Sequence, residues 1–189
     1  MRRPLGRLRI IGGEFRSRLI DFDAEAGVRP TPDRVRQTVF DWLSPIIDGS
    51  SVLDLFAGSG ALGLEAVSRG AARASFVETG TKQAEAIRAA ITKLNAGPRC
   101  EVIRGDGISF LRSTLERYEI VFVDPPYDSP LLAATLANLP RVLKEMNRIY
   151  LEWPKGQPPT LPPGYVVLKE KAAGQVSYGL LTYTPPAEA

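Results

Sequence analysis

The sequence predicts an α/β fold: a mostly parallel sheet with helices on both faces. Three observations carry this. Strand-type and helix-type segments alternate from residue 51 to residue 153, the pattern of βαβ units. The stretch Val52-Leu53-Asp54-Leu55-Phe56-Ala57-Gly58-Ser59-Gly60-Ala61-Leu62-Gly63 reads as a strand, a tight glycine turn and a helix start, which is the ligand loop of such sheets. Finally, successive strand segments end in acids, Asp54, Glu78, Asp106 and Asp124, on the rim where open parallel sheets bind ligands.

Composition bounds the rest. At 189 residues the chain fits one domain with a short extension, long enough to bury a full core. There is no histidine and a single cysteine, Cys100, so a Ser-His-Asp triad, a conventional zinc site and an internal disulfide framework are excluded. No run approaches a membrane span, and the basic N-terminus lacks the apolar core of a signal peptide. A cytoplasmic protein without membrane association is expected. The net charge is +3, unevenly spread: residues 1–18 hold six arginines against Glu14, a local +5. An arginine cluster of this kind suits a phosphate polyanion.

The elements follow in order. Leu8-Arg9-Ile10-Ile11 and Phe15 to Ile20 flank Gly12-Gly13 and read as a hairpin. Thr31-Pro32-Asp33 opens a helix, with Thr as cap and Pro at the first helical position; Val35, Val39, Trp42 and Leu43 form its apolar stripe, and Pro45 ends it. Helices are expected over 62–69, 82–95, 108–115 and 131–143, and strands over 74–78, 101–104, 119–123 and 148–153. Residues 154–163 are proline-rich. Strands at 166–168 and 176–183 are close enough to pair antiparallel. The expected divisions are a basic hairpin extension over 1–30, the main domain over 31–184 and a frayed tail over 185–189.

The acids have separate geometric roles. Gly58, Gly60 and Gly63 satisfy G-x-G-x-x-G, yet Asp54 at the strand end repels a pyrophosphate and suits a cationic ligand, which disfavours a nicotinamide dinucleotide. Glu78 is placed to accept two ribose hydroxyls, and Asp106 to reach an exocyclic amine of an adenine. Asp54, Phe56, Ala57, Gly58, Ser59, Gly60, Glu78, Asp106 and Gly107 are therefore the candidate residues for binding an adenosine that bears a positive centre; no metal is expected. In Asp124-Pro125-Pro126-Tyr127 the prolines make a rigid turn without donors, the Asp and a backbone carbonyl are acceptors, and Tyr127 is a platform for a planar base.

Asp54-x-Phe56-x-Gly58-x-Gly60 with Asp124-Pro125-Pro126-Tyr127 resembles the class I S-adenosylmethionine-dependent methyltransferases that act on exocyclic amines. Arg9-Ile10-Ile11-Gly12-Gly13, Arg29-Pro30-Thr31-Pro32-Asp33-Arg34-Val35-Arg36 and Leu62-Gly63-Leu64-Glu65-Ala66 resemble more narrowly the bacterial small-subunit ribosomal RNA (guanine-N2) methyltransferases of the RsmD type, from about residue 8 to 183. The resemblance implies a Rossmann-like seven-stranded sheet with an antiparallel last strand, S-adenosyl-L-methionine as cofactor and guanine 966 of 16S rRNA as target. It departs from the family at Gly107 and over residues 174–179. Asp124, Pro125, Pro126 and Tyr127 become the expected catalytic residues, and Arg7, Arg9, Arg16, Arg18, Arg29, Thr31 and Arg34 the expected RNA contacts. The expected partner is small-subunit rRNA within an assembled or partly assembled subunit, met by a monomer. Two other functions fit the same residues: an adenine-N6 methyltransferase of DNA or RNA, and a non-catalytic RNA-binding assembly factor. A protein-glutamine methyltransferase would carry Asn at position 124.

Overall fold

A computed structural model describes residues 5–24, 27, 29–126 and 130–187. Among the described residues, nine strands and five α-helices run in the order β1 (Gly6–Arg9), β2 (Leu19–Phe22), α1 (Asp33–Leu43), β3 (Ser51–Asp54), α2 (Ala61–Ser68), β4 (Arg73–Glu78), α3 (Thr81–Lys93), β5 (Cys100–Arg104), α4 (Gly107–Ser113), β6 (Tyr118–Val123), α5 (Leu131–Asn138), β7 (Leu143–Pro154), β8 (Tyr165–Ala173) and β9 (Val176–Tyr183). The main sheet has the order β5-β4-β3-β6-β7-β9-β8. Strands β3 to β7 pair parallel, and β9 inserts antiparallel between β7 and β8. The chain moves outward from β3 through β4 to β5, then returns to place β6 on the other side of β3. That reversal makes a crevice at the C-terminal ends of β3 and β6.

Strand alternation sorts the core into two layers. Val52, Phe76, Ile120, Phe122 and Tyr150 face α1, α2, α3 and the N-terminal segment. Leu53, Val77, Val121, Val123, Ile149 and Leu151 face α4, α5 and the short 3₁₀ turn after it. The same period puts Asp54, Glu78, Asp124 and Glu152 on the parity of Val52, Phe76, Phe122 and Tyr150, so all four acids belong to the α2 face of the sheet.

The N-terminal segment is the expected hairpin, with a longer connection than the Gly12-Gly13 turn read from the sequence. β1 and β2 pair antiparallel, but residues 12–17 form turns rather than strand. The reason lies in α2. Glu65, fully buried, accepts the Ile11 and Gly12 N–H groups at 3.0 and 2.9 Å; Glu14 N–H donates to Ser68 O and Phe15 N–H to Ser68 Oγ. Backbone groups that a hairpin ladder would use are thus spent on a helix. Gly13 has φ +80, and a Cβ there would sit 1.8 Å from Ser68 O, so only glycine permits this approach. Leu8, Ile10, Phe15, Ile20 and Phe22 join the same apolar cluster as α1, α2 and α3.

Three further boundaries moved. Helix α1 starts one residue later than a Thr cap requires: Pro32 is the cap position and no side chain caps it. Thr31 is buried, and its carbonyl accepts Arg36 Nε at 3.0 Å. Helix α5 stops at Asn138, because Pro140 cannot continue it, and a 3₁₀ turn follows. Strand β8 runs on to Ala173, since pairing along β9 outweighs its polar composition.

The buried cluster around Glu65 makes a stability prediction. Arg36, itself 1% exposed, pairs with Glu65 at 3.4 Å, and Arg69 Nε donates to Glu65 Oε1 at 2.8 Å. Glu65→Ala is expected to cost about 3–5 kcal/mol of unfolding free energy in urea titration, the range for orphaning a buried charge. Arg7→Ala breaks only the exposed pair with Asp21 and should change stability by less than about 1 kcal/mol.

Candidate active site

The glycine loop is held by two acids from below. After β3, Leu55 N–H donates to Phe122 O and Ala57 N–H to Val77 O, which carries the loop over β6 and β4. Gly58 and Gly60 then take φ of +55 and +77, left-handed values that favour glycine. Asp54 Oδ2 accepts the Gly63 N–H at 3.0 Å. Glu78 takes the Gly58 N–H on Oε2 at 2.7 Å and the Gly80 N–H on Oε1 at 3.0 Å. Gly63 itself lets α2 lie close on the sheet, for a Cβ would meet the Phe76 ring at 2.3 Å. With Ser59 Oγ also accepting the Ala61 N–H, two N–H groups of the first turn of α2, those of Ala61 and Gly63, are already paired. A pyrophosphate loses these two donors and meets an acid at the strand end.

Above the loop lies a cleft of about 1010 Å³, lined among others by Asp54, Phe56, Ala57, Gly58, Ser59, Glu78, Gly107, Asp124, Pro125 and Pro126. The cofactor and catalytic candidates thus meet in one place, with three exceptions. Gly60 is the cap position of α2 and does not line the cleft; a Cβ there would meet Ile87 at 3.1 Å. Asp106 is exposed and caps α4, its Oδ2 accepting the Ser109 N–H at 2.8 Å; its neighbours Gly105 and Gly107 form the wall instead. Tyr127 lies outside the described residues. A volume near the top of the ligand-pocket range has room for more than one small ligand.

The acids perturb one another. Burial pushes the Asp54 carboxyl up to about 7; the Gly63 N–H opposes this, and the charge of Glu78 adds to it. Asp124 is raised well above the usual carboxylate range, first by burial, then by the charge of Glu152 and a hydrogen bond to it, and then by Asp54. Glu152, half-buried in β7 and lining the cleft, was missed by reading the sequence. The signal was present: it stands near the end of the next strand, as Asp54 and Glu78 do in theirs.

The basic candidates separate into groups. Arg29 and Thr31 line the cleft. Arg7 and Arg9 line an adjoining groove of about 410 Å³ that shares Pro30, Thr31 and Pro32 with it. Arg18 donates to Lys93 O, while Arg16 and Arg34 are exposed. Among the described residues no helix is long and apolar enough to cross a membrane.

The raised Asp54 predicts a pH effect on the ligand-free protein. Between about pH 4 and pH 7 the folded chain holds a proton on Asp54 that the unfolded chain has released. Stability contributed by this site therefore falls as pH rises, at about 1.4 kcal/mol per unit. Asp54→Asn removes the titration while keeping an oxygen for Gly63. Its stability relative to wild type, from urea unfolding at several pH values, should rise by a few kcal/mol across that window; a flat difference would show that Asp54 ionises normally.

Comparison with known proteins adds an independent line. A family model described as conserved hypothetical protein 95 matches residues 8–182. The ribosomal RNA small subunit methyltransferase D of Escherichia coli is 42% identical over 178 residues, covering 93% of this chain and 89% of that protein. Its Haemophilus influenzae namesake is 38% identical, covering 93% of each. A solved structure described as putative methyltransferase yhhF from Escherichia coli superposes with a TM-score of 0.86 at 41% identity, over 94% of this chain and 98% of that one. By the extent of the model and of these alignments, the chain belongs to the conserved hypothetical protein 95 family.

Proposed function

We propose that the protein transfers a methyl group from S-adenosyl-L-methionine to the exocyclic N2 of a guanine in small-subunit ribosomal RNA, with guanine 966 of 16S rRNA, implied by the family resemblance, as the target. The observation that carries the reading is the rigid Asp124-Pro125-Pro126 turn opening into the same cleft as the Asp54–glycine loop. The small-subunit RNA methyltransferase relatives support the substrate class. A chain of 189 residues has little surface with which to read a long RNA. An assembled or partly assembled small subunit, met by a monomer, is accordingly the proposed substrate.

The cleft fits the cofactor. Glu78 is locked in orientation by two backbone donors, and each oxygen keeps a lone pair for a ribose hydroxyl. Asp54, costly to ionise alone, gains from a nearby cation. Bound S-adenosylmethionine supplies an activated methyl group on a sulfonium. The protein's task is then alignment and charge placement. The guanine amine is a poor nucleophile because its lone pair is delocalised into the ring. Asp124 and the Pro125 carbonyl are acceptors for its two hydrogens, and favour a pyramidal nitrogen whose lone pair is free. Pro125 and Pro126 have no N–H, so these turn positions present no backbone donor to that amine. Tyr127 is the proposed stacking platform. The target base must be unstacked to enter.

The test is methyl transfer to small-subunit particles, with nucleoside mass spectrometry of the product. N2-methylguanosine is expected; N6-methyladenosine, or no product, would overturn the reading. In single-turnover assays Asp124→Asn should slow transfer by roughly 10²-fold or more, comparable to losing one preorganised electrostatic partner, with cofactor affinity unchanged. Glu78→Ala should instead weaken cofactor binding by about 1–3 kcal/mol in calorimetry.

A further inference from the structure

Strands β6 and β7 are parallel neighbours in register, with Val123 beside Leu151. One residue further along each chain, just past the end of β6 and within β7, Asp124 comes beside Glu152. Both residues line the cleft, and burial together with the neighbouring Glu152 carboxyl favours a proton on Asp124 in the ligand-free pair. Nothing in the reaction as described above uses Glu152, yet placing a second carboxyl against Asp124 costs repulsion that an apolar or amide residue would avoid. The other charged groups of the neighbourhood are Asp54 on β3, which adds to the repulsion, Glu78 on β4, which acts on Asp54, and Arg29 before α1, which lines the same cleft. On the far side of β7, Tyr178 stands opposite Glu152 in β9.

We infer that Glu152 is a positioning residue for methyl transfer: it joins Asp124 in a two-carboxyl unit that takes up the proton lost by the guanine amine. The inference rests on the reading under "Proposed function". In the step, the carbon–sulfur bond breaks as the carbon–nitrogen bond forms, and the sulfonium becomes a neutral thioether. The amine gains a positive charge and releases one N–H proton to Asp124. The unit passes from two negative charges to one, the sulfonium charge is lost, and the sum is conserved. The proton then sits on the Asp124–Glu152 pair, whose two carboxyl groups the register of β6 and β7 sets side by side. Glu152 thus makes Asp124 a stronger proton acceptor than a lone strand-end aspartate. The cation of the cofactor offsets the repulsion in the doubly ionised form until the methyl group leaves.

Because the active form of the unit has lost its shared proton, the rate rises with pH through the upper titration of the pair. Glu152→Gln keeps the size and can donate an amide N–H to Asp124, but removes the like charge. The single-turnover rate of methyl transfer to small-subunit particles, measured from pH 5 to 9, should lose its wild-type acidic limb to one lying about one pH unit or more lower, with a plateau about tenfold slower. Melting temperature should stay at or above wild type, since a repulsion between neighbouring carboxyls is removed, which separates the effect from misfolding. An acidic limb unmoved by Glu152→Gln overturns the inference. A second measurement stands apart from activity: the carboxyl ¹³C shift of Asp124 in the free protein should titrate at lower pH in Glu152→Gln than in wild type, and equal midpoints also overturn the pairing. Wild-type protein that forms no N2-methylguanosine would instead defeat the proposed reaction, and the ¹³C titration still decides the pairing.

Discussion

The carboxylate of Glu65 is the junction on which the arrangement depends. It is fully buried and receives donors from the N-terminal turn, from Arg36 on α1 and from Arg69 on its own helix. A buried carboxylate is costly unless its oxygens are paired, so satisfying it forces these segments together. Arg36 in turn donates to Thr31 O and Arg9 O, which fixes the chain just before α1. That segment, Arg29 to Pro32, is a wall of the cleft. The N-terminal extension and the glycine-loop helix are therefore coupled through one group. The cleft wall owes its position to a residue that does not touch the cleft.

A second constraint is the period of the strands. Four acids reach one rim from four parallel strands, and alternation puts all of them on the face shared with α2. Hydrophobic neighbours on that face, Val52, Phe76, Phe122 and Tyr150, exclude water and leave Asp54 and Asp124 poorly solvated. Where backbone donors exist they are used: two for Glu78 and one for Asp54. Asp124 sits where the following prolines supply none, and it leans on Glu152 instead. Donation thus thins from Glu78 to Asp54 to Asp124, and burial raises the carboxyls of both Asp54 and Asp124 above the usual range.

Much of this was legible in the chain. The alternating elements, the sheet with its antiparallel last strand and the glycine loop follow from local pattern and from the resemblance, because periodicity and φ > 0 requirements are written in residue types. What could not be read is nonlocal. The Gly12-Gly13 pair resembles a hairpin turn, yet it serves the approach to Ser68, which is distant in sequence. Thr31-Pro32-Asp33 has the form of a capped helix start, but Arg36 claims the Thr31 carbonyl and the cap moves to Pro32. Asp106 shares the strand-end pattern of Asp54 and Glu78; its side chain turned to the Ser109 N–H because it is the cap residue of α4, which begins at Gly107. Glu152 was overlooked although it repeats that strand-end pattern, since its meaning depends on the register between β6 and β7.

The pairing of β3 with β6 explains why one cleft suits two reactants. The chain reverses at β3 and β6, so the glycine loop after β3 and the proline turn after β6 leave adjacent strands on the same rim. The Leu55 N–H to Phe122 O bond ties the two exits together at the first residue beyond the β3 strand. A ligand on the glycine loop and one on the proline turn are thereby held side by side by backbone geometry, before any side chain contributes. Proximity of this kind is the larger part of what a direct transfer between two bound molecules requires. The acids then decide which molecules: a cation is favoured over Asp54, and a hydrogen-bond donor over Asp124. A cationic methyl donor beside an amine satisfies both conditions at once, whereas a pyrophosphate satisfies neither.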